Sequence, residues 1–247
     1  MPDPLVLDCF SLFGPVPPRG VPPLGTGELL AQMRRHSVAG SIALSTRGLY
    51  YGSSAGNRET AALCGQSGGV LQPAAILDPR VSVTAQAISG ARMLCLMPTT
   101  QRWPLPFAPL DELLSSLRDT HPKVPIFWEA TRTGDATRIL QAVTAAGNAN
   151  QMLLGGVTGD SLIEAISIAR RDNRFGIITN GLHGIGEISM AVDAIGASRV
   201  YFGSGAPVQS MGGALAVIRY AGLSDENLAA ILGENAKRLI AAGGVAA

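Results

Sequence analysis

Glu129 and His183 are the side chains of this sequence best suited to moving a proton. Glu129 ends the apolar run VPIFWEA (124–130), where burial beside Trp128 would perturb its carboxyl group. His183 lies in NGLHGIG, a glycine-rich turn after another apolar run, and imidazole titrates near neutral pH. Each has a plainer reading: Glu129 paired with Arg132, Arg47 or Arg80, and His183 fixing its own turn by hydrogen bonds. Arg47 in STRGLYYG and Arg80 in DPR offer cations that could anchor an anion, although Asp78 is a local ion-pair partner for Arg80. Ser204, in VYFGSGAPVQS (200–210), stands where a strand breaks into a tight turn, and with Arg47 and Arg80 it is a candidate substrate contact. Cys9 is a nucleophile by type, but no histidine is near it in sequence to activate the thiol, so a buried structural cysteine is the better account.

These residues fall at the ends of a regular series of elements. Apolar runs of strand length occur at 5–10, 41–46, 71–77, 91–97, 124–130, 151–157, 175–180 and 199–203. Segments with helical spacing lie between them at 27–36, 111–121, 161–171 and 224–240, with weaker candidates at 57–67 and 83–89. SLIEAISIARR opens with Ser161 and Glu164 at the spacing of a capping box. In the last segment Ser224 is a cap, and Leu228, Ile231, Leu232 and Leu239 form one stripe. Continuous apolar strands alternating with helices predict a parallel sheet covered on its outer side. Eight such units in 247 residues predict the α/β class and a single (β/α)8 barrel spanning 1–247. A doubly wound open sheet, the rival, more often has five to seven strands. The Pro-rich GPVPPRGVPPLG (14–25) reads as a long loop after the first strand. In a barrel the site is built at the C-terminal ends of the strands. That rim gathers Asp8 and Ser11, Ser45 to Arg47, Asp78 and Arg80, Glu129 to Arg132, Thr179 to His183, and Ser204.

Composition excludes several classes of function. Net charge is +1 and the Lys and Arg residues are spread along the chain, so no nucleic-acid footprint is present. The apolar runs are too short to cross a membrane, and MPDPLVLDCF lacks the features of a signal peptide. Cys9, Cys64 and Cys95 lack the CxxC spacing of zinc or redox sites. A cytoplasmic protein with reduced thiols is the expectation. No internal repeat is visible.

The C-terminal third carries a family resemblance. ITNGLHGIGEISMAVDAIGASRVYFGSGAPV followed by GLSDENLAAILGENAKRLI is similar to the amidohydrolase-related proteins (amidohydrolase family 2), metal-dependent TIM-barrel hydrolases and decarboxylases. Asn235, Ala236, Arg238 and Leu239 match the pattern of that family's last helix. VLDCFSLFG resembles the family's opening Asp-Cys-His-x-His-x-Gly, and PAAILDPR (73–80) its third-strand block. The resemblance implies a divalent ion held by an HxH pair on strand one, histidines on strands five and six, and an aspartate on strand eight. Here those positions fall at Phe10 and Leu12, Trp128, Gly155 or Gly156, and Gly205. None is a metal donor, and the chain's three histidines are His36, His121 and His183. No metal or other cofactor is therefore expected, and Phe10, Leu12 and Trp128 are expected to fill the barrel mouth.

Two functions follow. One is a non-catalytic subunit that associates with a copy of itself or with a catalytically intact, metal-bearing amidohydrolase relative. The alternative is a metal-independent hydrolase or lactonase acting on a small carboxylate or lactone through Glu129, His183 and an arginine anchor. A third idea is a phosphate cradle formed by GLHGIG (181–186) and GSGAP (203–207). An open cleft lined by Glu129, His183 and Arg47 speaks for an enzyme, and a mouth filled by Phe10, Leu12 and Trp128 against one.

Overall fold

Strands buried on both faces need a helical layer outside and a packed interior, and the chain supplies both. The computed structural model of the protein describes residues 4–17, 21–81 and 88–242. Nine strands form one sheet: β1 (Leu7–Val16), β2 (Val21–Leu24), β3 (Gly40–Ser45), β4 (Leu71–Leu77), β5 (Met93–Leu96), β6 (Ile126–Glu129), β7 (Met152–Gly155), β8 (Phe175–Ile178) and β9 (Val200–Tyr201). The order is β2-β1-β3-β4-β5-β6-β7-β8-β9, and every pair except β1–β2 is parallel. The sheet closes on itself beyond β9. Cys9 N–H donates to Phe202 O at 2.8 Å, Gly205 N–H to Phe10 O at 2.9 Å, and Leu12 N–H to Ala206 O at 2.7 Å. The result is the predicted (β/α)8 barrel with one antiparallel strand added at β1.

Alternation along the strands divides the core in two, because successive side chains on a strand point to opposite faces. Ile42 and Leu44, Ala74 and Ile76, Met93 and Cys95, Phe127, Leu153, Ile178 and Tyr201 pack inside the barrel. Their neighbours Ala43, Ala75, Leu94, Trp128, Leu154, Ile177 and Val200 pack outward against the helices. The helical layer supplies Leu29 and Met33, Leu110, Leu114 and Leu117, Ile139 and Val143, and Leu162 and Ala165, at the three- and four-residue steps of one helix face.

The final helical segment explains the pattern that carried the family resemblance. Asn235 is buried, and its side-chain amide donates to the carbonyls of Ala197 and Val200, both at 2.7 Å, fixing the start of β9. Arg238 donates in turn to Asn235 Oδ1, while Ala236 and Leu239 pack into the inner cluster.

Several expectations change. β1 runs to Val16 and is joined by β2 at Val21, so part of the Pro-rich stretch is a hairpin rather than a loop. Proline is tolerated there because β2 is an edge strand pairing on one side only. Ser161 is not the N-cap of its helix. Gly159–Arg171 is capped by Thr158, whose N–H donates to Ser161 Oγ at 3.1 Å. Glu164 instead accepts from the N–H groups of Gly134 (2.6 Å) and Thr137 (2.8 Å) at the start of the neighbouring helix Asp135–Ala145. The segment 224–240 is interrupted by a π-helical stretch, Ala230–Glu234, where Gly233 passes so close to Leu5 O that a Cβ would lie 2.1 Å from it. The helix candidate at 83–89 lies mostly outside the described residues. Helices at Asp135–Ala145, Glu187–Ile195 and Met211–Arg219 complete the outer layer. Among the described residues no helix is long and apolar enough to cross a membrane.

Candidate functional site

The C-terminal ends of the strands surround a cavity of about 350 Å³. Its wall is part apolar (Phe10, Leu12, Leu49, Met97, Phe127, Val208) and part polar (Thr100, Glu129, Thr131, Asn180, His183, Gln209). That size and mixture suit a small organic ligand.

The register of β6 decides what faces the cavity. Phe127 and Glu129 point inward, two residues apart, and Trp128 between them points the other way. Trp128 is therefore not at the mouth: it is fully buried against the helices, with Nε1 3.4 Å from Met152 Sδ. Phe127 takes the place expected for it. Its ring stacks on Phe10 with centroids 4.2 Å apart and planes 2° from parallel.

Phe127 also explains Gly155. A Cβ at 155 would lie 2.1 Å from Phe127 Cε2 and 2.9 Å from Asn180 Oδ1. No inward side chain can stand on β7 at that point while Phe127 keeps its rotamer. Gly156, with φ +68°, donates its N–H to Asn180 Oδ1 at 2.8 Å.

Glu129 is 7% exposed. It is bound by neither Arg132, Arg47 nor Arg80. Thr100 holds it instead, with the N–H 2.8 Å from Oε2 and Oγ1 2.7 Å from Oε1. Burial pushes the Glu129 carboxyl above its ordinary value, against the opposing pull of these Thr100 bonds and one from the Thr99 backbone, and the charge of Asp135 adds to the rise. His183 lines the same cavity from an exposed rim position.

The other candidates are elsewhere. Arg47 lines a separate cavity of about 610 Å³ with Ser45 and Glu59. Arg80 forms an ion pair with Asp78 at 2.7 Å and donates to Gln101 O at 3.2 Å. Ser204 is fully buried, its hydroxyl 2.6 Å and its N–H 2.9 Å from the Asp8 carboxylate. Asp8, which also accepts from Phe10 N–H at 3.0 Å, is pushed up by burial to about 6, against the pull of the Ser204 and Phe10 bonds.

The turn at 203–207 forms no phosphate cradle. Gly203 N–H donates to Thr179 Oγ1, Ser204 N–H to Asp8, Gly205 N–H to Phe10 O and Ala206 N–H to Ser204 Oγ. Each of these donors is spent on the protein. In the other loop, Leu182 N–H donates to Thr179 O and Gly184 N–H to Glu187 Oε2.

Nor does the donor set fit a divalent ion. Phe10, Leu12 and Gly205 line the cavity without a ligating side chain, and Gly155 has no room for one. Among the described residues no three His, Cys, Asp or Glu side chains come together as a metal would need. Thr100 and Gln209, which no motif in the sequence singles out, line the cavity as well.

No protein-family model matches the chain, and no curated protein matches it in sequence. Solved structures do match in fold. One is 5-carboxyvanillate decarboxylase from Sphingomonas paucimobilis, with a TM-score of 0.72 and 14% identity over 97% of this chain and 100% of that one. A structure assigned as a 2-pyrone-4,6-dicarboxylic acid hydrolase from Pseudomonas putida has a TM-score of 0.73 and 17% identity over 97% and 98%. Dihydroxybenzoic acid decarboxylase from Polaromonas, solved with manganese and 2-nitroresorcinol, has a TM-score of 0.68 and 14% identity over 97% of each chain. At such identities the likeness carries the fold alone.

Proposed function

We propose that this protein is an amidohydrolase-type barrel without a metal centre, retaining a small-molecule pocket and serving as a non-catalytic subunit. Its partner in this proposal is a second copy or a catalytically intact, metal-bearing relative. The observation that carries the reading is the Phe10–Phe127 stack with Gly155 beneath it. Two rings and a missing side chain occupy the inner rim where a hydrolytic ion would need its ligands. What this chain's own residues do there is bind. Part of the wall is apolar, Thr100 fixes the Glu129 carboxylate, and Asn180 and Gln209 line the cavity with amides. Metal analysis and manganese and zinc titrations of the purified protein test the proposal. Substoichiometric metal and no saturable binding are expected; one tightly held equivalent overturns it.

A metal-independent hydrolase or lactonase is the second reading, favoured by one observation: Glu129 and His183 line the same cavity. The Arg47 anchor it invoked lines a different one. Rates on small lactones for wild type, Glu129→Gln and His183→Ala separate the two readings. Turnover lost in both variants supports an enzyme.

A further inference from the structure

We infer that the barrel-mouth cavity takes a flat ligand that presents N–H donors and carries no carboxylate, such as an amide- or amidine-bearing aromatic ring. The inference rests on reading the mouth as a metal-free pocket and names what that pocket accepts.

Charge is the first argument. 2,6-Dihydroxybenzoate and 2-pyrone-4,6-dicarboxylic acid, ligand or substrate of two proteins of similar fold, are anions at neutral pH. An anion is held most strongly by a cation, a metal or convergent free N–H groups. Among the described residues no Lys or Arg lines this cavity, and the turn N–H groups beside it are already bonded. The buried charge facing it is the Glu129 carboxylate, which repels a second anion. His183 stands at an exposed rim, where solvent screens its interactions with a ligand.

Unmatched acceptors are the second argument. Glu129 accepts from Thr100 at each oxygen and from the Thr99 backbone, and a carboxylate with about four acceptor sites keeps capacity for a further donor from the cavity that it lines. Gln209 donates Nε2 to Asn180 O at 2.6 Å, but its Oε1 is buried with no donor. A buried acceptor left without a partner costs free energy, and a turn of the Gln209 amide toward a ligand N–H in the cavity removes that cost. The stacked Phe10 and Phe127 rings with Leu12 and Met97 give the same ligand an apolar seat for a ring. Burial also raises the Glu129 carboxyl, and a bound cation would pull it back down, so cation binding should release protons.

Three probes of one shape test this on the full chain: benzamidine (cation), benzamide (neutral) and benzoate (anion), titrated by calorimetry at about pH 8, the alkaline side that favours the carboxylate form. Benzamidine is expected to bind about tenfold more tightly than benzoate, the scale of one charge-assisted hydrogen bond. Glu129→Gln should bring benzamidine and benzamide together while leaving benzamide binding in place. Benzoate binding as well as benzamidine, an unchanged ratio in Glu129→Gln, or no binding of any probe overturns the inference. Repeating the titrations after manganese loading separates the two claims. If manganese binds stoichiometrically and benzoate then wins, the metal-free reading has failed; if manganese does not bind and benzoate still wins, only the ligand class is wrong.

Discussion

Asp8 and Ser204, 196 positions apart in sequence, are joined by two hydrogen bonds inside the barrel wall: hydroxyl to Oδ2 at 2.6 Å and N–H to Oδ1 at 2.9 Å. The pair ties the first barrel strand to the turn after the last one, where the sheet closes. It places a carboxylate in a fully buried position with no cation beside it among the described groups. Burial is the larger influence, and the Asp8 carboxyl is pushed up from 3.8 to about 6.

The folded state therefore holds the Asp8 proton more tightly than the unfolded chain does. Stability from this group is complete below about pH 3.8 and is lost as the pH rises through about 6. The change corresponds to about 3 kcal/mol. Asp172 and Asp78, lowered by Arg174 and Arg80, act in the opposite sense at lower pH, so the test is a difference between variants. Asp8→Asn removes the titration. Measured by urea unfolding, the stability of wild type relative to Asp8→Asn should fall by most of that amount between pH 4 and pH 7. A pH-independent difference would show that Asp8 does not titrate in this window.

Gly155 and Phe127 form a second dependent pair. Gly155→Ala forces a methyl to within 2.1 Å of the Phe127 ring and should cost about 1–3 kcal/mol as an overpacking change. Phe127→Ala empties the ring's volume and should cost about 3–5 kcal/mol. The double variant should lose less than the sum, because the methyl then enters vacated space. A double-mutant cycle by thermal or denaturant unfolding reads this coupling, and simple additivity would count against the ring as the reason for the glycine.

The eight parallel strands were legible because their apolar runs are bounded by polar turns. β2 was not, since VPPL has the composition of a loop and pairs only at the sheet edge. The helix Met211–Arg219 was missed for another reason: MGGALAVIR is almost all small or apolar, so its buried face has no polar face to contrast with. The same limit affected β6. IFWE is buried throughout, and a strand covered on both sides gives no alternation to say whether Phe127 or Trp128 points inward. A one-residue choice there exchanges the barrel interior for the helix layer.

Glu129 shows how much of the site lay in the chain's local pattern. Its position at a strand end was readable, while its partner was not, because Thr100 arrives from 29 residues away on the short helix Pro98–Gln101. Thr100→Val removes the hydroxyl donor and keeps the N–H bond. The Glu129 carboxyl should then rise further, since a bond that lowered it is gone, and the fold should lose about 1–3 kcal/mol. A carbon-13 NMR titration of the Glu129 side chain follows the first effect and chemical unfolding the second. An unmoved titration would mean that the hydroxyl does not hold the carboxylate.

The three cysteines test what the interior permits. Cys9 and Cys95 lie fully buried in the inner cluster and Cys64 in the outer one. Burial pushes the Cys64 thiol up to about 12, and it pushes Cys9 and Cys95 up as well, the charge of Asp8 adding to the rise at Cys9. Nucleophilic attack needs the thiolate, so all three should be inert in the folded protein near neutral pH. A thiol-disulfide reagent such as dithiobisnitrobenzoate should find no fast-reacting group in native protein and three in denaturant. Reaction at Cys9 under native conditions would require a route from solvent to β1, and would restore a nucleophile to the barrel that its burial now rules out.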